Sequence, residues 1–328
     1  MLLSSSMPLN LGKRIFGYNS YLLTDIIIYH IVINNKWIQY FLGIRLIKAY
    51  VPCEKCSYEK VAEYENFKIT HNLFDADVCI DDPVLFLKRI KGLEDEVTCL
   101  LWGDTVYDAL YYKNEMAKYD NVIMASYWNY QMFEKLGYKI KGVMKRHIKP
   151  IFVGEKKDKI FVTLGESRYF DRKNLTLIDK ITREFGVRDK TIIIGNLGNP
   201  DYPTFQLSEE EKYRLYARSK FFLALSKSEG FGIPPIEAMA LGVVPIYLDA
   251  HGYKENLVGI PIDPIDEYTY CVDNKHCFRV WDLSIHELRY EINHALTIGK
   301  DEYEDLSEKA KNKARGYIIA TMESSDFR

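Results

Sequence analysis

"SKSEGFGIPPIEAMALGVVPI", residues 226–246, sets two glutamates eight positions apart around a Gly-Phe-Gly turn and a Pro-Pro pair. The run before it, KFFLALS (220–226), reads as a buried strand, and VVPIYL (243–248) reads as another. Between them, PPIEAMALG (234–242) has the composition of a helix. Pro234 and Pro235 suit a first turn, where a missing N–H costs little, and Gly242 stops the helix. Strand, glycine turn, helix, strand is the repeating unit of a parallel sheet. In such sheets ligands bind outside the carboxyl ends of the strands. Gly230 and Gly232 let the backbone approach a ligand closely, and the helix start favours an anion such as a diphosphate. Glu229 in the turn can reach hydroxyls, and Glu237 on the helix can accept bonds from a diol such as a ribose. Each acid alone also fits a plainer role: a solvated loop carboxylate at Glu229, and a helix-dipole partner at Glu237.

The same alternation extends in both directions. LIKAYV (46–51), ADVCI (76–80), VTCLLW (97–102) and NVIMAS (121–126) read as strands, with helical patterns such as VLFLKRIKGL and YWNYQMFEKLGY between them. A short strand at MLLSS and a helix over 13–32 open the chain. KIKGVMKRHIKPIFVGEKKDK (139–159) is basic and lacks an apolar period, so it reads as a junction between two domains. Beyond it come strands at 159–165 and 190–195, a helix in NLTLIDKITREFG, and a helix over 208–219 with a Ser208/Glu211 capping box. A last helix begins near Asp301. The pattern predicts an α/β protein of two facing Rossmann-like domains with parallel sheets and a cleft between them. Their bounds are 1–150 and 151–310, and residues 311–328 form a helix that, as in similar proteins, crosses back to the first domain.

Composition narrows the function. The chain has 328 residues, 47% hydrophobic and 27% charged, with a formal net charge of -2. No global basic field is present to hold nucleic acid. The apolar stretch YLLTDIIIYHIVI falls short of the roughly 20 residues of a bilayer span, and no signal peptide is visible. The expected location is cytoplasmic, with peripheral membrane contact through the basic run left open. CEKC (53–56) has metal-ligand spacing but no second CxxC to complete a tetrahedral site. The six cysteines therefore read as ordinary buried or surface thiols, with a stabilising disulfide open for a chain from a hyperthermophile.

On these residues the chain resembles the family 4 retaining glycosyltransferases of GT-B fold. Ser226, Glu229, Gly230, Phe231, Gly232, Pro234, Glu237, Ala238, Met239, Ala240, Gly242 and Pro245 fit that family's donor-site signature. GESRYFDRKN (165–174) resembles its arginine and lysine five apart, here Arg168 and Lys173. IIIGNLG (192–198), with Asn196, resembles the loop beside the nucleotide base, and DAHGYKE (249–255) its glycine-rich loop ending in a glutamate. The likeness is strong over 159–260 and weak before it.

The resemblance implies sugar transfer from a nucleotide-diphosphate sugar, of UDP or GDP type, with retention of configuration and no metal or other cofactor. Arg168 and Lys173 would supply the charge that stabilises the leaving diphosphate. Glu229 would orient the sugar, Glu237 the ribose, and Gly12 and the backbone of Gly230 to Ile233 would line the donor. The acceptor would be a glycan, lipid or protein. In the first domain the likeness departs from the family: Gly12 stands alone in the first loop, and Gly103 or Asp104 occupies the place of the family's histidine. Asp104 is the candidate for acceptor contacts, with a plain turn aspartate as the alternative. A nucleotide-sugar epimerase or hydrolase on the same fold stays open, and the missing histidine keeps open a catalytically weak sugar-nucleotide or glycan binder.

Overall fold

The computed structural model describes residues 46–318 apart from Lys55. The readings at MLLSS, at Gly12, over 13–32 and past 318 lie outside the described residues. The first sheet contains β1 (Lys48–Tyr50), β2 (Lys68–Thr70), β3 (Val78–Asp81), β4 (Leu100–Gly103), β5 (Val122–Met124) and β6 (Ile140–Val143) in the order β2-β1-β3-β4-β5-β6. The second contains β7 (Lys159–Gly165), β8 (Thr191–Gly195), β9 (Tyr202–Pro203), β10 (Ser219–Ala224), β11 (Val244–Leu248) and β12 (Ile260–Ile262) in the order β12-β11-β10-β7-β8-β9. Every neighbouring pair in both sheets is parallel. β8 and β11 are buried along their whole length, as parallel strands covered on both faces require.

The connecting helices are α1 (Ser57–Tyr64), α2 (Pro83–Arg89), α3 (Ala109–Tyr112), α4 (Tyr127–Lys135), α5 (Leu175–Glu184), α6 (Glu209–Ala217), α7 (Ile233–Ala240), α8 (His251–Asn256), α9 (Ile285–Thr297) and α10 (Lys300–Arg315). One core joins Ile178 and Ile181 of α5, Phe221 and Leu223 of β10, Ile246 of β11 and Leu288 and Ile292 of α9. The capping box forms at α6: Ser208 Oγ accepts from Glu211 N at 3.2 Å, and Glu211 Oε2 accepts from Ser208 N at 2.8 Å.

The strand order creates the site. From β7 the chain builds β8 and β9 on one flank, then returns to build β10, β11 and β12 on the other. The loops leaving β7 and β10, 166–174 and 225–232, therefore stand side by side at a topological switch point. Lys227 N donates to Arg172 O at 2.8 Å between them.

Three features depart from the sequence reading. The basic junction 139–159 contains β6, an edge strand whose residues alternate half-buried and exposed, so its outward lysine masks the period. Residues 264–283 form an antiparallel hairpin of β13 (Pro264–Asp273) and β14 (His276–Leu283), for which no element was expected. The cysteines are not thiols: all six pair, as Cys53–Cys56, Cys79–Cys99 and Cys271–Cys277. Register explains the last two bonds. Cys271 faces Cys277 across the hairpin, and Cys79 lies on β3 beside the chain entering β4. The acids of DADVCIDD also have structural work: Asp81 pairs with Arg89 at 2.7 Å, and Asp82 caps α2 by accepting from Val84 N and Leu85 N. α10 packs on α7 and β11, after which Ile318 forms a parallel bridge with Ile148.

Closing a loop of this size by Cys79–Cys99 removes entropy from the unfolded chain. The double variant Cys79→Ala, Cys99→Ala is expected to lose about 3 kcal/mol of unfolding free energy in urea titrations. An unchanged midpoint and slope would count against a constraining bond there.

Candidate active site

β7 ends at Gly165, where an added Cβ would lie 2.6 Å from the Lys173 side chain; glycine lets that stem run across the strand end. Asn174 adopts a left-handed conformation (φ 55°), and its Nδ2 donates to Leu225 O at 2.7 Å, tying the loop to the end of β10. Asp171 accepts from Leu175 N and Thr176 N, each at 2.8 Å, at the start of α5. This local build aims Lys173 at Glu229, and the two form a close ion pair. Arg172 Nη1 lies 3.6 Å from the same carboxylate oxygen and also donates to Ser228 O. Burial alone would raise the Glu229 carboxyl; Lys173 and Arg172 outweigh it and hold it at about 2.

Glu237 is buried on α7. Lys212 Nζ sits 2.9 Å from Oε2, and Tyr64 of α1 donates to Oε1 at 2.7 Å. Gly232, with φ 97°, opens α7 in a conformation other residues rarely take. A Cβ there would also meet the Tyr253 ring at 2.7 Å. Asp104 follows β4 and approaches the turn so closely that a Cβ on Gly230 would lie 2.5 Å from its carboxylate. It forms an ion pair with the buried Arg146, whose guanidinium lies 5.4 Å from the Tyr58 ring centre. Burial pushes the Asp104 carboxyl up, and Arg146 opposes that rise.

These groups surround one cavity of about 600 Å³. Asp104, Lys173, Glu229 and Glu237 line it, as do Phe231, Gly232 and Ile233; Gly230 backs the turn against Asp104. Arg168 lines it too, but its side chain is exposed, and Arg172 is the arginine brought to Glu229. Asn196 pairs with both backbone groups of Ser167, at 3.0 and 2.8 Å, and so braces the loop that carries the cations. The sequence reading missed Arg172, whose only signal is its place beside Lys173 in DRKN. Lys212, Tyr64 and Arg146 left no local signal, because each meets its partner across a long stretch of chain.

His251 supports the turn from below. Its Nε2 donates to Ser226 O at 2.9 Å, while Tyr253 N donates to Nδ1 at 3.4 Å, which is the pattern of a neutral ring. Burial pulls its pKa down to about 4. Among the described residues no group of three or more His, Cys, Asp or Glu side chains could hold a metal ion, and no helix is long and apolar enough to cross a membrane.

Residues 148–258 match the family described as Glycosyl transferases group 1. Over 320 residues the chain is 31% identical to "Putative glycosyltransferase ORF313" of Acidianus filamentous virus 1, covering 84% of this chain and 96% of that one. The chain belongs to this glycosyltransferase family. "Putative glycosyltransferase 48" of Sulfolobus islandicus filamentous virus is 28% identical over 87% of this chain and 97% of its own length. The glycosyltransferase has the GT-B fold. Sucrose-phosphate synthase from Thermosynechococcus elongatus superposes with a TM-score of 0.52 at 12% identity, over 74% of this chain and 70% of that one. Anabaena HepE, solved in complex with UDP and glucose, gives 0.53 at 10% identity, over 83% and 95%.

The His251 geometry makes a signed prediction. The unfolded ring titrates at 6.5 and the folded one at about 4. Its neutral form contributes stability that is complete above pH 6.5 and falls as pH drops toward 4. In denaturant titrations the stability of the glycosyltransferase relative to His251→Gln is expected to decline by about 3 kcal/mol across that window. A difference that stays flat with pH would contradict the buried neutral ring.

Proposed function

We propose that this glycosyltransferase is of the family 4 retaining type and takes its sugar from a nucleotide-diphosphate donor of UDP or GDP type, without a metal. The observation carrying this reading is the convergence of Lys173 and Arg172 on the single carboxylate of Glu229 inside the cavity. Two cations facing one anion leave positive charge for a diphosphate, in a water-poor site where it counts most. The start of α7 adds its dipole.

Glu237 already receives Tyr64 and Lys212, yet a carboxylate offers about four acceptor positions. It therefore retains capacity for the ribose hydroxyls. Glu229 orients the transferred sugar, and Arg168 at the exposed side meets the outer phosphate. Asp104, next to both Gly230 and Arg146, receives the acceptor hydroxyl. In this reading the domain of residues 151–310 holds the donor and that of 1–150 faces the acceptor. HepE, which shares the fold, was solved with UDP, which makes UDP the first nucleotide to try.

Thermal unfolding with UDP, GDP and their hexose conjugates tests the reading. One nucleotide is expected to raise the midpoint by roughly 5 °C when present far above its Kd. Lys173→Ala and Glu237→Ala should each lose most of that gain. If no nucleotide shifts the wild type, or both variants respond as it does, the donor site is misassigned.

A further inference from the structure

The donor reading uses Glu229, Lys173, Arg172, Arg168 and Glu237 of the cavity lining. The same lining includes aromatic rings that this reading leaves without a role. Tyr107 stacks on Phe278 with centroids 4.8 Å apart and planes at 21°. Phe170 meets Phe278 at 5.2 Å and 60°, and Tyr169 stacks on His276 at 4.2 Å and 27°. Tyr107 and Phe278 are almost fully buried, whereas Tyr169 is 45% exposed, so it is the ring of this wall most open to a ligand.

The wall is held rigidly. The tip of the β13–β14 hairpin is closed by Cys271–Cys277. The Tyr112 hydroxyl donates to Lys275 O at 2.6 Å and accepts from Cys277 N at 2.7 Å. Tyr107 forms an antiparallel bridge with Phe278. The wall also adjoins the reacting centre. Ser228, next to Glu229, donates through Oγ to Val106 O at 3.2 Å, and Asp104 lies two residues before Val106.

We propose that this aromatic wall is the acceptor subsite and that its occupant is a carbohydrate. The inference rests on the donor reading above and adds the class of acceptor to it. A pyranose ring has C–H-rich faces and hydroxyl edges. Flat aromatic surfaces take the faces through dispersion and weak C–H contacts, while neighbouring polar groups take the edges. Glu166 lines the cavity beside Tyr169, and the tyrosines carry hydroxyls of their own. A long-chain lipid would instead call for an apolar channel free of charged side chains.

Maltose, cellobiose and mannobiose serve as probes in saturation-transfer NMR titrations, with and without saturating UDP or GDP. At least one disaccharide is expected to bind the wild-type protein, and to do so alongside the nucleotide. Tyr169→Ala should weaken that disaccharide about fivefold or more, and Tyr169→Phe should stay within about twofold, because the ring carries the contact. Nucleotide affinity should be the same in both variants. If UDP or GDP binds but no disaccharide does, the inference fails and the donor reading stands. If Tyr169→Ala weakens the nucleotide as much as the sugar, the wall belongs to the donor and the inference fails. If no nucleotide binds at all, the donor reading falls and this inference with it.

Discussion

A carboxylate and two cations brought out of water at the junction of two loops set the terms for the rest of this site. A buried charge survives only with a partner in good geometry, and removing one partner costs about 3–5 kcal/mol. Glu229 meets that condition through Lys173 and Arg172. The backbone around it is pinned from several sides: Arg172 to Ser228 O, His251 to Ser226 O, and Asn256 Nδ2 to Phe231 O at 2.9 Å. The turn of residues 226–232 is thus a preorganised frame, and electrostatic stabilisation gains most when its charges need not move during reaction.

The hairpin extends that frame across the cleft. Asp108 N donates to Cys277 O at 3.0 Å and Arg279 N to Val106 O at 3.2 Å, while Trp281 N donates to Lys227 O at 2.8 Å. β14 therefore joins the segment after β4 to the turn before Glu229, which places Asp104 against Gly230. The Lys227–Asp282 ion pair, at 2.6 Å, lies on the same seam. The segments that carry Asp104 and Glu229 are in this way parts of one hydrogen-bonded structure.

How much of this could be read from the residues alone follows from the range of the interactions. The 229–237 interval, the glycine turn and the proline-led helix are local, and β7, β8, β10 and β11 with α5, α6 and α7 fall where their apolar runs place them. The choice between Arg168 and Arg172 was not legible, because SRYFDRK follows an irregular loop with no period to say which side chain turns inward. Lys212 and Tyr64 reach Glu237 across 25 and 173 residues, a distance no local pattern encodes. β6 hid behind its outward lysine, Lys141. Cys79–Cys99 and Cys271–Cys277 became visible only through strand register, and the hairpin, with its aromatic wall, belongs to a stretch that the sequence reading left without an element.

A crystal structure of the wild-type glycosyltransferase with UDP or GDP bound tests the central claim most directly. The account requires diphosphate oxygens within hydrogen-bonding distance of Lys173 Nζ or the Arg172 guanidinium, with the ribose hydroxyls on Glu237. A nucleotide seated outside the cavity, or inside it with its diphosphate turned away from both cations, would contradict the account.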